Sequence, residues 1–456
     1  MKHFDVVVIG SGTSGQSAAM ELSLEGLDTA LVESSDRPGG VCALRGCQAK
    51  KWFYEVAEIV GRSRHLRGMG VEAEPRVDWD RIRAEKDTFT STVPENTVKN
   101  LRGHGITYID GKARFLDENT LEVGDTKIGA QFFIIASGAQ PVELPLDGSE
   151  YLATSSDFLD LAALPSRIGF IGGGFVSFEL AHFAARLGAA AGNVHIIEAA
   201  PRPLRPFDAD MVAGLVAASE EDGIHVHTDV SITAVEKTGS CYRIKMKSGA
   251  PLEVDLVVNG AGRAPNIEAL QLDRAKVRAS QDGIEVDMSM RSSNPQIFAV
   301  GDCAATTKLA RVADREAQVA AGAILAQKQG GQAPFMEYRT VPSVLFTYPQ
   351  LGMVGKTEEQ LQKENIDYWK SQETGLTWPT YRRLGMKHAA YKILVDRDNR
   401  LLGAHLLMDN TTGVLNTFKQ AMIDKVSVAA LHRDNIMAPY PSRESDILYM
   451  LAPLLD

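Results

Sequence analysis

The chain has 456 residues, 44% of them hydrophobic and 23% charged, with a formal net charge of −10 at pH 7. That length suggests about three domains at ~150 residues each, and the acidic balance argues against nucleic acid, whose phosphates want a basic face. Four cysteines, Cys42, Cys47, Cys241 and Cys303, are too few for a secreted disulfide scaffold and fit a reducing compartment.

A strand pattern begins almost at once, with no basic start and apolar signal region ahead of it. No apolar run approaches the ~20 residues that span a bilayer, so a cytoplasmic chain without a membrane partner is expected. Val6-Val7-Val8-Ile9 reads as a buried parallel strand, and Gly10-Ser11-Gly12-Thr13-Ser14-Gly15 follows with the spacing G-x-G-x-x-G. Those glycines allow a tight turn, close backbone approach to a pyrophosphate and close helix–strand packing, and the helix N-terminus welcomes phosphate. Gly10, Gly12, Ser14 and Gly15 are therefore candidate cofactor contacts. A helix and a second strand, Thr29 to Glu33, complete the unit, and Glu33 stands where a carboxylate accepts from a ribose.

Residues 48–105 read as polar helices and 106–128 as alternating strands. Phe132 to Ile135 is a buried strand running into Ala136-Ser137-Gly138, where small residues let a nucleotide or hinge approach. A second fingerprint follows strand 168–171 as Gly172-Gly173-Gly174-Phe175-Val176-Ser177, with Ser177 at the third glycine position. Its second strand ends at Glu198, a carboxylate that accepts a 2′-hydroxyl and repels a 2′-phosphate, which favours NAD over NADP. Arg202 and Arg205 lie nearby and soften that preference. His195 is expected to be a packed or surface residue. Two such modules imply two dinucleotides, one tightly held and one that comes and goes.

Strands return at 224–262 and lead into Gly262-Arg263-Ala264-Pro265-Asn266. The run Ile297 to Val300 then places Gly301-Asp302 at a strand end, a good position to grip a sugar-like hydroxyl. Cys303 beside it is expected to pack. Ala310 to Lys328 reads as a helix. From about Arg339 the composition changes to strands near 391–395 and 401–407, with helices from Thr411 and Val426 and no nucleotide signature.

Between the first module and its helices lie Cys42 and Cys47, four residues apart, after Gly39-Gly40. The spacing predicts that one turn of helix brings the two sulfurs together, and a helix N-terminus lowers a thiol pKa. Beside a redox cofactor such a pair moves two electrons between that cofactor and sulfur. A zinc half-site and two inert thiols are the other readings; zinc needs about four ligands and no second Cys/His cluster is evident, so no metal is expected.

Together these motifs resemble the flavoprotein disulfide reductases, such as dihydrolipoamide dehydrogenase, glutathione reductase and mercuric reductase, essentially end to end. The redox stretch Gly39 to Lys51, Ala136-Ser137-Gly138, Gly262 to Asn266, Gly301-Asp302 and Phe346 to Pro349 carry the resemblance. It implies an α/β chain with two Rossmann-type three-layer domains and a C-terminal α+β dimerisation domain. The expected division is FAD-binding over 1–147 and 266–336, NAD(H)-binding over 148–265, and dimerisation over 337–456.

The same resemblance implies a homodimer holding FAD on the first module and NADH, rather than NADPH, on the second. Gly40, Ser137, Gly138, Gly172, Gly174, Gly262, Arg263, Gly301 and Asp302 join the fingerprint residues and the two glutamates as cofactor contacts. Lys51 matches the family lysine near the flavin, and Glu179 its ion-pair partner. Cys47 would face the flavin in the redox-active disulfide, and Cys42 would exchange with a dithiol/disulfide substrate, a protein-bound lipoyl group being one form of it. Where organic-disulfide reductases carry His-Pro-Thr and then Glu, this chain has Tyr440-Pro441-Ser442-Arg443-Glu444-Ser445, with Glu444 one residue early. A phenol of pKa ≈ 10 is a poor base near neutral pH. Mercuric reductases also place Tyr there but carry a C-terminal cysteine pair, and this chain has Leu451 to Asp456. The sequence thus points to an FAD-dependent pyridine nucleotide-disulfide oxidoreductase of the dihydrolipoamide dehydrogenase type. Reduction of a metal ion, another sulfur species or a quinone is the alternative, and a non-catalytic redox sensor is the reading from another class.

Overall fold

Continuous apolar runs without alternation need cover on both faces, and such strands form the parallel centres of two sheets. The computed structural model describes residues 2–455, and the chain falls into two compact units. Of the described residues, the first comprises 2–52, 82–142 and 263–338, and the second 53–81, 143–262 and 339–455.

In the first unit, strand Lys2–Ile9 lies between Thr29–Glu33 and Thr126–Ile135, all parallel, with Ile9 opposite Val32 and Ile135. Thr107–Asp110 extends the sheet beyond Thr29–Glu33. The long strand Thr126–Ile135 changes partner along its length. Its first half takes the antiparallel hairpin strand Thr120–Val123, and its last three residues take Ile297–Ala299 in parallel. That brings Gly301-Asp302, some 300 residues downstream, to the sheet edge where the first fingerprint begins. Helices Thr13–Leu24 and Ala310–Gln329 pack together. Gly283–Ile284 pairs antiparallel with Ala279–Ser280.

In the second unit, Ile224–His227, Val194–Ile197, Ile168–Ile171 and Leu256–Asn259 form a four-stranded parallel sheet in that order. The meander Ile232–Thr238, Cys241–Met246 and Leu252–Val254 joins it through a core of Ile171, Ile197, Val235, Ile244, Val254 and Val257. Residues beyond 339 build a five-stranded antiparallel sheet covered by helices Thr411–Ile423, Val428–Asn435 and Ile447–Leu451. The second helix starts two residues later than the sequence suggests, because Ser427 caps it by accepting from Ala430 N. Lys392, 2% exposed, ties this sheet to the nucleotide module: its Nζ meets Asp208 at 2.8 Å, Asp210 at 2.7 Å and Glu358 at 2.8 Å.

Candidate active site

The cysteine segment is pressed against the first fingerprint. A Cβ on Gly40, which has φ +78°, would overlap Gly12 Cα, so only glycine allows this approach. Gly39 N donates to Ser11 Oγ at 2.9 Å, and that hydroxyl donates to Glu33 at 2.6 Å, a relay from strand end to cysteine helix. The two cysteines do not share a helical turn. Helix Gly40–Arg45 carries Cys42 in its first turn, Gly46 leaves helical geometry at φ −136°, ψ −119°, and Cys47 opens a second helix, Cys47–His65. The pair therefore meets across a break, with Cys42 hydrogen-bonded to Cys47.

The expected lowering of the thiol pKa is reversed at Cys42. Its hydrogen bond with Cys47 pushes it up first, then burial, then the charges of Cys47 and Asp314. Two thiols in contact titrate as a pair, and the second proton leaves against the charge of the first thiolate. Cys42 is half-buried and Cys47 exposed. Lys51 follows one turn after Cys47 on the same helix, half-buried.

Around this pair the first module offers a cradle for a dinucleotide. Helix Thr13–Leu24 begins at Gly12 with no side-chain cap, which leaves its first N–H groups, those of Thr13, Ser14 and Gly15, for a phosphate. Glu33 is held by Ser11 N at 2.8 Å, Ser34 N at 2.7 Å and Ser35 N at 2.8 Å. Strand Arg263–Pro265 pairs antiparallel with Ala139–Pro141, and Asn266 N donates to Gly138 O at 2.9 Å, fixing the Ser137-Gly138 turn. Arg263 donates to Ala139 O. Asp302 stands in a single helical turn, Gly301–Cys303, where burial raises its pKa while Arg263 and Lys308 pull it back. No hydrogen bond reaches its carboxylate among the described residues. A half-buried acceptor without a donor of its own, set beside an uncapped helix, suits a phosphate-bearing, hydroxyl-rich ligand such as FAD. Cys303 packs, buried, and donates to Ile135 O at 3.2 Å.

In the second module Gly174 caps helix Phe175–Leu187, again without a side-chain bond, and Gly172 takes φ +93°. Glu198 accepts from Gly173 N at 2.6 Å and Ala200 N at 2.7 Å. Arg202 turns away to Phe207 O at 2.8 Å and Glu359 at 3.1 Å, while Arg205 is exposed. Glu179 is 3% exposed and accepts from Phe346 N at 3.0 Å. Gly262 follows the module's last strand at φ +125°. His195 stacks on His225 and meets His227 Nε2 at 3.1 Å.

At the C-terminal end, Ser442 and Ser445 bond each other reciprocally. Arg443 pairs with buried Asp409, and Glu444 accepts from Asn410 Nδ2 at 2.9 Å. Glu444 is thus tied into its own unit, whereas Tyr440 is 79% exposed beside Ile436 and Met437, also exposed.

Sequence reasoning passed over Ser11, whose place inside the fingerprint was a usable signal, and Asp314, whose contact with Thr13 no spacing announced. Among the described residues no cluster of three or more His, Cys, Asp or Glu is placed to hold a metal ion, and no helix is long and apolar enough to cross a membrane.

Residues 4–317 match the family described as pyridine nucleotide-disulphide oxidoreductase, and residues 341–447 match its dimerisation domain. Glutathione reductase of Schizosaccharomyces pombe is 28% identical over 99% of both chains. Dihydrolipoyl dehydrogenase of Bacillus subtilis is 32% identical over 78% of each. The flavoprotein disulfide reductase RclA of Escherichia coli, induced by HOCl, shares the fold at a TM-score of 0.86 and 24% identity, covering 99% of this chain and 100% of its own. Two uncapped nucleotide fingerprints, a cysteine pair in contact and family matches over most of the length agree: the chain belongs to the flavoprotein disulfide reductases, FAD-dependent enzymes that couple a pyridine nucleotide to a disulfide.

Proposed function

We propose that the chain is an NADH-dependent disulfide oxidoreductase of the dihydrolipoamide dehydrogenase type, working as a homodimer. In this reading 1–147 and 266–336 hold FAD, 148–265 hold NADH, and 337–456 form the subunit interface, where exposed Ile436, Met437 and Tyr440 supply apolar surface. The observation that carries it is the Cys42–Cys47 contact, built directly onto the first fingerprint through Gly40 and Gly12.

When bound, FAD supplies the two-electron relay between a nicotinamide hydride and sulfur. Gly10, Gly12, Ser14 and Gly15 would bind its pyrophosphate, Glu33 its ribose, and Asp302 and Arg263 its remaining polar groups. Lys51 would set the charge near the flavin. Glu198 would accept the NADH ribose, with Arg202 already committed to Glu359. On the sulfur side, the reduced pair attacks a substrate disulfide through the Cys42 thiolate, forming a mixed disulfide and releasing the first substrate thiolate. Cys47 then attacks Cys42, closes the intramolecular disulfide and releases the second thiolate. The two protons of the pair end on the two product thiols. Tyr440 would act as a hydrogen-bond donor.

Anaerobic NADH titration should give a long-wavelength charge-transfer band, and lipoamide should turn over. Cys42→Ser should abolish disulfide turnover; turnover that survives it would sink the reading. A protein-bound lipoyl substrate is tested by lipoyl-domain turnover. The second reading, reduction of a metal ion, rests on Tyr440 in place of histidine. It would be favoured by metal-dependent NADH oxidation in the absence of any disulfide.

A further inference from the structure

Beneath the Gly301-Asp302 turn lies a carboxyl that no step above uses. Glu316, in the second turn of helix Ala310–Gln329, has no exposed surface. Its Oε2 accepts from Gly301 N at 2.7 Å, and its Oε1 accepts from Tyr338 Oη at 2.8 Å. The turn is also tightly packed. Gly301 takes φ +71°, and a Cβ there would stand 2.9 Å from Ser14 Oγ and 3.3 Å from Ala313 Cβ. The peptide that carries Asp302 is thus wedged between the helix of the first fingerprint and the helix of Glu316. A buried amide needs an acceptor, and leaving one unmade costs more than a typical bond gains. Supplying that acceptor as a carboxylate makes the bond charge-assisted, and Tyr338 fixes the second oxygen so that the group cannot swing away.

We propose that Glu316 is a positioning residue of the FAD site: braced by Tyr338, it fixes the Gly301–Asp302 turn and so presents the Asp302 carboxylate to the hydroxyl groups of FAD. The inference rests on the reading of Asp302 as an FAD ligand, and the experiment separates the two.

FAD release from the holoenzyme is followed by recovery of flavin fluorescence on dilution. NADH binding at the second module and far-UV circular dichroism serve as controls. Asp302→Ala tests the underlying reading, and unchanged release would remove it. With that established, Glu316→Ala should weaken FAD retention by about 10- to 100-fold, and Glu316→Gln, which keeps an acceptor for Gly301 and a donor for the Tyr338 oxygen, by less than about threefold. In an Asp302→Ala background, Glu316→Ala should add less than about threefold, because its effect runs through a carboxylate no longer there. Equal losses with and without Asp302, or a Gln variant as poor as Ala, would overturn the proposal. Should Glu316→Ala fail to fold, Tyr338→Phe with and without Asp302 decides the point in the same way.

Discussion

In the first nucleotide module, Gly15 on the helix faces Ala136 at the end of the neighbouring strand. In the second, Ser177 on the helix faces Gly260 at the corresponding strand end. The methyl-sized group has changed sides. A Cβ on Gly260 would overlap Ser177 Oγ, whereas a Cβ on Gly15 would overlap the Gly10 carbonyl oxygen itself. Close helix–strand packing is required in both, but the second module meets it with exchangeable side-chain volume and the first with backbone. The second fingerprint residue differs as well. Ser11 and Gly173 both offer a main-chain N–H to the strand-end glutamate, and only Ser11 adds a hydroxyl that reaches on to Gly39. The extra bond links the cysteine helix to the first fingerprint; the second fingerprint has the main-chain bond alone.

The largest effect is expected at Gly15. Gly15→Ala should cost more than about 3 kcal/mol and empty the purified protein of flavin, and Ala136→Gly should not rescue it, because the clash is with backbone. Gly260→Ala should cost about 2–3 kcal/mol by thermal denaturation, and the double variant Ser177→Gly/Gly260→Ala should recover most of that. Failure of the rescue would mean that the two modules do not share one packing rule. Ser11→Ala leaves the buried Gly39 N–H without its acceptor and should cost about 1–2 kcal/mol, read as faster flavin release with NADH affinity unchanged. Glu198→Ala should lower kcat/KM for NADH by about tenfold and leave NADPH nearly untouched.

The two units should also part company in acid. In the second, Asp210 is held below its usual range by its hydrogen bond to Lys392. Against the opposing effect of burial, Lys370 and Lys392 hold Glu358 at about 2, and Arg186 lowers Asp222. Groups with a depressed folded pKa contribute stability above the unfolded value that is lost as pH falls toward the folded one. In the first unit burial raises Asp302 and Glu316, and a raised folded pKa works in the opposite sense, adding relative stability as pH drops through it. Hydrogen exchange between about pH 5 and pH 3 should therefore show the second unit opening first; the reverse order would contradict this account.

The parallel strands, both fingerprints and their glutamates were legible because apolar runs, glycine spacing and strand-end acids are local patterns set by backbone geometry. The cysteine pair was legible as a pair but not as a geometry: nothing in four intervening residues announced that Gly46 would break the helix and that Cys42 would carry the raised pKa. Glu444 was legible only as an acid one residue early; its partner Asn410, 34 positions back, was not announced by any spacing.

Sequence alone determined where each nucleotide module begins, which carboxylates end its strands and which two sulfurs belong together, since all of these depend on neighbours a few residues away. Tertiary structure decided what each charged group does with its charge. Burial and partners come from segments far apart in the chain, as when Gly301 packs against Ser14, or Lys392 meets Asp208. A pKa, an accepted hydrogen bond and the room for one methyl group are properties of such encounters, and only the folded chain contains them.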